Sequence, residues 1–431
     1  MRSMPNVLRK CQVVPDLERG IVVGIDVSKL KMSFGGFRPS ERTRVSIMDQ
    51  NAVGFRALEG FVDDLVAQGY EPWIAYEPTG PYSTCLREWL VASGRRLVQV
   101  NPYHVKRIKE VRDNSPEKDD WKDPSVIADL VWQGCYQEVV CLSGTYADLR
   151  AASAEWASLT KRRTALRNEF QALLQVWFPE LCDIFKDAVC KSVRGIVRRY
   201  ASVEALASSR RSSLESTLRK SSLGRTLNRT EAILSSAKDS VAPASGQQAR
   251  HSAMVGLLDI LELVESRQEL LKAQMEEFLS VLPEAQSLLS LPRVGTIMVA
   301  GLLGECGNIG AYRYYEQLEK LVGLNLYEVS SGKHKGRRRI SKRGRSLARY
   351  LICQIAMLQT RSGGLFERYA KELKAKGKKT GEIRVAVARK LLRLLYAVAR
   401  DQKEFDPRLF FTGARAEDGL VTQQGTQAQA A

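Results

Sequence analysis

Hydrophobic and polar positions change rhythm along this chain, and each change predicts a different architecture. Residues 21–27 (IVVGIDV) are a short, β-branched apolar run between Gly20 and the polar pair Ser28 and Lys29, the pattern of a buried strand. Residues 31–37 and 43–48 predict two further strands, making a meander. Helical spacing follows over 51–68, with Phe55, Leu58, Val62 and Leu65 on one face. Residues 73–76 then predict a strand, 84–92 a helix and 96–100 another strand. Three strands followed by alternating helices and strands imply a mixed sheet covered by helices.

The texture changes near residue 146. The stretch 148–177 is helical throughout, with Leu149, Trp156, Leu159, Leu166, Phe170 and Leu173 as an apolar stripe. Residues 193–245 are rich in Ser, Arg and Leu with few aromatics, which predicts either a surface helical arm or a partly disordered stretch. Helical spacing returns over 254–282, so 146–282 reads as an antiparallel hairpin or coiled-coil arm. From 289, LSLPRVGTIMVAGLLGECGNIGAY places a small-residue helix between two glycine-marked turns; a basic stretch at 371–379 and a helix at 384–400 follow. The polar, small-residue end predicts a disordered tail. The expected class is α/β plus α. The division is an extension at 1–20, a ribonuclease H-like α/β domain at 21–145, a helical coiled-coil arm at 146–285, a mainly α-helical domain at 286–412, and a tail at 413–431.

Composition narrows the function. At 431 residues, 44% of them hydrophobic, the chain has material for two or three cores. Lys and Arg total 66 against 48 Asp and Glu, a net charge of +18, so a polyanion is the expected partner and nucleic acid the commonest one. The first twenty residues lack the apolar core of a signal peptide, and no apolar run is long enough for a membrane helix. No membrane partner is expected. Eight cysteines without a C-x-x-C pair, beside three histidines, argue against structural zinc and suit a reducing cytoplasm.

Four acids sit where chemistry could gather them. Asp26 lies in the first strand, Glu77 follows the fourth, and Asp120 and Asp123 lie in EKDDWKDP before an apolar helix. Convergent carboxylates repel unless a cation joins them, and hard oxygen ligands suit Mg²⁺. Taken singly each has a plainer role: Asp26 could cap a turn, Asp123 before Pro124 could be a helix N-cap, and Glu77 before Pro78 could be a loop carboxylate. Asp119 and Asp129 compete for the last two places.

The segment 330–350, SSGKHKGRRRISKRGRSLARY, carries nine Lys or Arg and no acid. Lys333, Lys335, Arg337, Arg338, Arg339, Lys342, Arg343 and Arg345 are candidate nucleic-acid contacts, and its glycines let backbone approach a phosphate. A serine among such cations could attack phosphorus, storing the bond energy in a phosphoserine so that strands rejoin without ATP. Spacing alone leaves Ser330, Ser331 and Ser341 open.

These residues resemble a known family. GIDVSK, YEPTG, NPYHVKRIKE and the KDDWKD box, in that order, look like the four-acid (DEDD) domain of insertion-sequence transposases related to the Piv DNA invertase, some of which are bridge-RNA-guided recombinases. LPRVGTIMVAGLLGECGNIGAY, LVGLNLYEVSSGKHKGRRRISKRGRSLARYLI and VAVARKLLRLLYAVARD are similar to that family's second domain with its catalytic serine and C-terminal helix. The resemblance spans 21–142 and 289–407. It implies a RuvC-like first domain, Asp26, Glu77, Asp120 and Asp123 as the Mg²⁺-holding acids, and Ser331 as nucleophile in site-specific strand exchange. It also implies a structured guide RNA beside the DNA, and a dimer or tetramer. The acidic and serine sites are far apart in sequence, so the active centre is expected to be composite. Two departures stand out: Asp123 is followed by Pro124 where the family usually has alanine, and the basic stretch 193–245 is longer than usual. The rival readings are a metal-dependent Holliday-junction resolvase that cuts with water, and a non-catalytic RNA- or DNA-binding scaffold.

Overall fold

The computed structural model describes residues 13–39, 41–113, 122–139, 142–328, 336 and 338–408. The chain divides into two compact units, Met1–Cys141 and Leu142–Ala431.

The first unit is a six-stranded sheet between helices. Its elements are β1 (Gly20–Val27), β2 (Lys31–Phe37), β3 (Ser46–Asp49), α1 (Ala52–Ala67), β4 (Glu71–Tyr76), α2 (Thr84–Ala92), β5 (Leu97–Val100), α3 (Pro102–Asp113), α4 (Asp123–Trp132) and β6 (Tyr136–Glu138). The strand order is β3-β2-β1-β4-β5-β6. The β1–β2, β2–β3 and β5–β6 pairs are antiparallel, and β1–β4 and β4–β5 are parallel. This mixed sheet is compatible with a ribonuclease H-like domain. Strand alternation gives each face its own core. Ile21, Val23, Ile25 and Val27 pack with Phe55, Leu58, Leu86 and Leu90 of α1 and α2. Val22, Trp73, Ala75 and Val98 pack on the other face with Val126, Ile127 and Leu130 of α4. The side chain of Asn51 caps α1 by accepting from the N–H groups of Val53 and Gly54.

The second unit begins with α5 (Thr145–Trp177), then α6 (Pro179–Ile184), α7 (Lys191–Arg199), α8 (Val203–Ala207), α9 (Arg211–Ser222), α10 (Thr230–Lys238) and α11 (Gln247–Ser280). The long helices α5 and α11 run antiparallel. Gln247 donates to the Trp177 carbonyl at 3.2 Å at one end, and Gln268 donates to Thr160 Oγ1 at 2.9 Å farther along. Beyond Trp177 the short helices close over a second core of Phe170, Trp177, Val193, Ile196, Leu214 and Met254. The segment 193–245 is therefore a folded helical module, the helical one of the two alternatives that its composition left open. Its isolated Val, Ile and Leu positions converge only once the helices pack. Arg194 locks it to α11 by donating from both Nη atoms to Glu265, at 2.7 and 2.8 Å.

The remaining elements are α12 (Pro283–Leu289), α13 (Thr296–Cys306), α14 (Tyr315–Val322), β7 (Leu326–Tyr327), β8 (Arg339–Ile340), α15 (Ser346–Gln359), α16 (Glu367–Ala375) and α17 (Thr380–Asp401). They share a core with the opposite ends of α5 and α11, through Leu149, Leu271 and Met275. Small residues permit this packing: a Cβ on Gly304 of α13 would lie 2.7 Å from the backbone of Arg150 on α5.

Candidate active site

The acidic site is built on the α4 face of the first sheet. The parallel register of β1 and β4 ends at Ile25 opposite Tyr76, and Asp26 and Glu77 are the residues that follow on the two chains. Neighbouring strands lie about 4.8 Å apart, and residues in register point to the same face. By alternation that face is the one carrying Val22 and Ala75, against α4. Both acids are half-buried. The turn after Glu77 is tied down locally: Thr79 Oγ1 donates to the Glu77 carbonyl at 3.2 Å, and the Thr79 N–H donates to Ser83 Oγ at 3.3 Å.

Gly24 brings the start of α4 against β1. It lies two residues before Asp26, on the same face, and a Cβ there would sit 2.0 Å from the Pro124 carbonyl oxygen. Only a glycine lets the first turn of α4 lie directly on the strand. Asp123 is the first residue of that helix and 4% exposed. It is not the N-cap, as the plainer reading had it; Lys122 holds that place, and Asp123 sits inside the first turn. A carboxylate there also meets the positive end of the helix dipole.

Lys109 of α3 places its Nζ 2.6 Å from Asp123 Oδ1. This partner was not foreseen from the sequence, because the short stripe of Val105 and Ile108 marks the helix but gives no sign of which residue its lysines meet. NPYHVKRIKE was noticed only as a motif. Asp120 and its rival Asp119 lie outside the described residues, and Asp129 lies within α4, half-buried. Among the described residues no three His, Cys, Asp or Glu side chains form a group that could hold a metal ion. The structure therefore does not bring Asp26, Glu77 and Asp123 into one donor set, although each offers the hard carboxylate oxygens that a divalent cation takes, with Asp123 balanced by the Lys109 ammonium.

The basic segment of the second unit is framed by the antiparallel pair β7 and β8, with Leu326 opposite Ile340 and Tyr327 opposite Arg339. Beyond β8 the chain folds back on the end of α14. The N–H groups of Ser341, Lys342 and Arg345 donate to the carbonyls of Asn325, Gly323 and Leu321 at 2.9, 3.0 and 2.8 Å. Gly344 has φ 130°, and a Cβ on it would lie 2.1 Å from the Leu321 carbonyl oxygen. Ser341 donates its hydroxyl to Asn325 Oδ1, so this serine is engaged in holding the turn. Arg338 pairs with Glu328 at 3.0 Å. Among the described residues Arg339, Lys342, Arg343 and Arg345 have no carboxylate partner; the first three are exposed and Arg345 half-buried. Ser330, Ser331, Lys333, Lys335 and Arg337 lie outside the described residues.

Residues 23–179 match the DEDD transposase family of IS110, and residues 285–371 match the transposase family IS116/IS110/IS902. The chain belongs to the IS110-family DEDD transposases. No curated protein matches it. As an IS110-family transposase it is a DNA transposase or recombinase, and its partner is DNA. Transposase domains of this kind typically use divalent metal ions. No helix among the described residues of this transposase is long and apolar enough to cross a membrane.

Proposed function

We propose that this transposase mobilises its insertion sequence by site-specific strand exchange, with Mg²⁺ held by Asp26, Glu77, Asp120 and Asp123 and a transient bond from DNA to Ser331. The observation that supports this reading is the parallel pairing of β1 and β4 up to Ile25 and Tyr76, the residues just before Asp26 and Glu77, on the sheet where Gly24 admits the start of α4. When bound, Mg²⁺ supplies Lewis acidity at the phosphate. The protein supplies the rest. Ser331 Oγ bonds to phosphorus and loses its proton, the bridging P–O bond breaks, and the departing deoxyribose oxygen takes up a proton. Lys333, Lys335, Arg337, Arg338 and Arg339 offset the charge that develops on the phosphoryl oxygens. Lys342, Arg343 and Arg345 track the nucleic-acid backbone, a role supported by the absence of an acid partner for any of them among the described residues. The engagement of Ser341 with Asn325 favours the serines earlier in the segment.

A structured guide RNA accompanies the DNA, held by shape and phosphate contacts with its single-stranded loops left to pair. The working particle is a dimer or tetramer in the cytoplasm. The test incubates purified protein and nicked element ends with Mg²⁺, traps any covalent adduct and maps it by peptide mass spectrometry. An adduct on Ser331, lost in Ser331→Ala and in Asp26→Asn while DNA binding persists, is the expected result. Cleavage without an adduct would instead identify a water-using resolvase. Full recombination after complete RNase treatment would remove the guide.

A further inference from the structure

The module that closes the far end of α5 and α11 lies between the two family-matched segments, which end at 179 and resume at 285. It contains a pocket of about 420 Å³ at the junction of α7 and α9, with Lys186, Lys191, Arg225 and Arg229 on its walls. One acid, Asp187, also lines it, but that carboxylate is committed to Arg167 at 2.7 Å and to the Val189 N–H at 3.0 Å. Arg229 is likewise occupied, donating to the Ile184 carbonyl and lying 4.8 Å over the Phe185 ring. Lys186, Lys191 and Arg225 are exposed and have no acid partner among the described residues.

The hydroxyls in the pocket are spent on one another. Thr226 Oγ1 lies 2.9 Å from Ser192 Oγ and 2.8 Å from Ser222 Oγ, and Ser222 also reaches the Leu218 carbonyl at 2.7 Å. Three links consume three protons, so this network shapes the wall and leaves ligand contact to the cations. The start of α7 adds to them. Cys190, Lys191 and Ser192 line the pocket, and no side chain caps the N-terminus of α7.

We propose that this pocket binds a phosphate group, delivered by a nucleic-acid backbone. Three cations without an ion-pair partner among the described residues line one cavity, although Lys191 also borders the neighbouring one that holds Glu262, Glu265 and Glu269, and cations beside a helix N-terminus form a phosphate-binding combination. The volume admits a phosphodiester with its flanking sugar. The inference rests on the transposase reading only for the delivery of the phosphate on a polymer.

Amide hydrogen exchange on the full-length protein tests it, with three separate additions: a short DNA duplex or RNA hairpin, inorganic phosphate, and polyglutamate of matched charge. Oligonucleotide should slow exchange at 190–194 and 222–229. The triple variant Lys186→Ala/Lys191→Ala/Arg225→Ala, checked for helicity by circular dichroism, should lose that protection. Its plot of log affinity against log salt should also be shallower, by about 0.7–0.9 for each phosphate contact removed. Ser192→Ala should retain the protection. Protection by inorganic phosphate alone would assign a free-anion site and overturn delivery by a backbone. Protection by polyglutamate but not oligonucleotide would overturn the phosphate altogether. Protection at 339–345 with an unchanged pocket would overturn this proposal and leave the transposase reading intact; no protection at either place would count against both.

Discussion

Gly24→Ala is the sharpest test of how the acidic site is assembled. The new Cβ would lie 2.0 Å from the Pro124 carbonyl oxygen, with the carbonyl carbon at 2.9 Å, and both are backbone atoms that cannot rotate away. Contacts below about 3 Å are essentially forbidden, so the first turn of α4 must withdraw by about 1 Å, carrying Asp123 with it. Overpacking of this kind costs roughly 1–3 kcal/mol, which for a unit of this size lowers the melting temperature by about 3–10 °C. The catalytic effect should be larger. A displacement of about 1 Å is enough to cost ~100-fold in rate, because carboxylates must reach a cation at roughly 2.0–2.6 Å. Gly60→Ala is the control. It lies in α1 with nothing within 4 Å of a new Cβ, so it should be neutral or stabilising by about 0.5–1 kcal/mol. Thermal melting and cleavage of element ends are measured for both variants. Wild-type melting and wild-type cleavage in Gly24→Ala would show that α4 does not need this approach, and the argument for Asp123 would fail with it.

Three further outcomes follow from the same geometry. Lys109→Met strips the buried Asp123 of its ammonium and should destabilise the first unit by about 1–3 kcal/mol; Mg²⁺ should raise the melting temperature of this variant more than that of the wild type, and equal shifts would argue against a cation site there. Tyr146→Phe leaves the buried Glu284 carboxyl without the hydroxyl that donates to it at 2.5 Å, at a cost of about 1–3 kcal/mol in chemical denaturation. Burial, aided by the bond to Glu284, pushes the Tyr146 phenol above its ordinary value of 10.0. A raised folded-state value means its stabilisation is whole below pH 10 and drains as pH rises further, so Tyr146→Phe should flatten part of the alkaline decline in stability, and an unchanged decline would contradict the assignment.

Legibility in the sequence followed periodicity. The helix expected at 84–92 spans those residues, and the strands at 31–37 and 73–76 fall within or on β2 and β4, because each pattern arises from one buried face. β6, three residues long, carries too little pattern to be read, and in α3 the short stripe of Val105 and Ile108 is diluted by six charged residues in twelve. The strands that carry Asp26 and precede Glu77 were legible, and the structure pairs them in parallel. The Lys109–Asp123 pair and the Gly24–Pro124 approach were not, because both depend on how helices settle on the sheet. The basic segment announced itself by charge alone. That Ser341 is tied to Asn325 needed the fold-back onto α14, a contact across 16 residues that spacing cannot reveal.

The antiparallel pair α5 and α11 also behaves as a ruler. Leu149 belongs to the core at one end and Leu174 to the core at the other. Their separation in sequence corresponds to about 37 Å of helix at ~1.5 Å per residue. One turn of B-form DNA advances about 34–36 Å. A duplex lying along the arm therefore presents the same face at both ends, and a phosphate held at the distal module would fix the rotation of the DNA as well as its position. Shortening both helices by seven residues would remove roughly 10 Å, about three base pairs, and turn the distal module toward a different face of the groove.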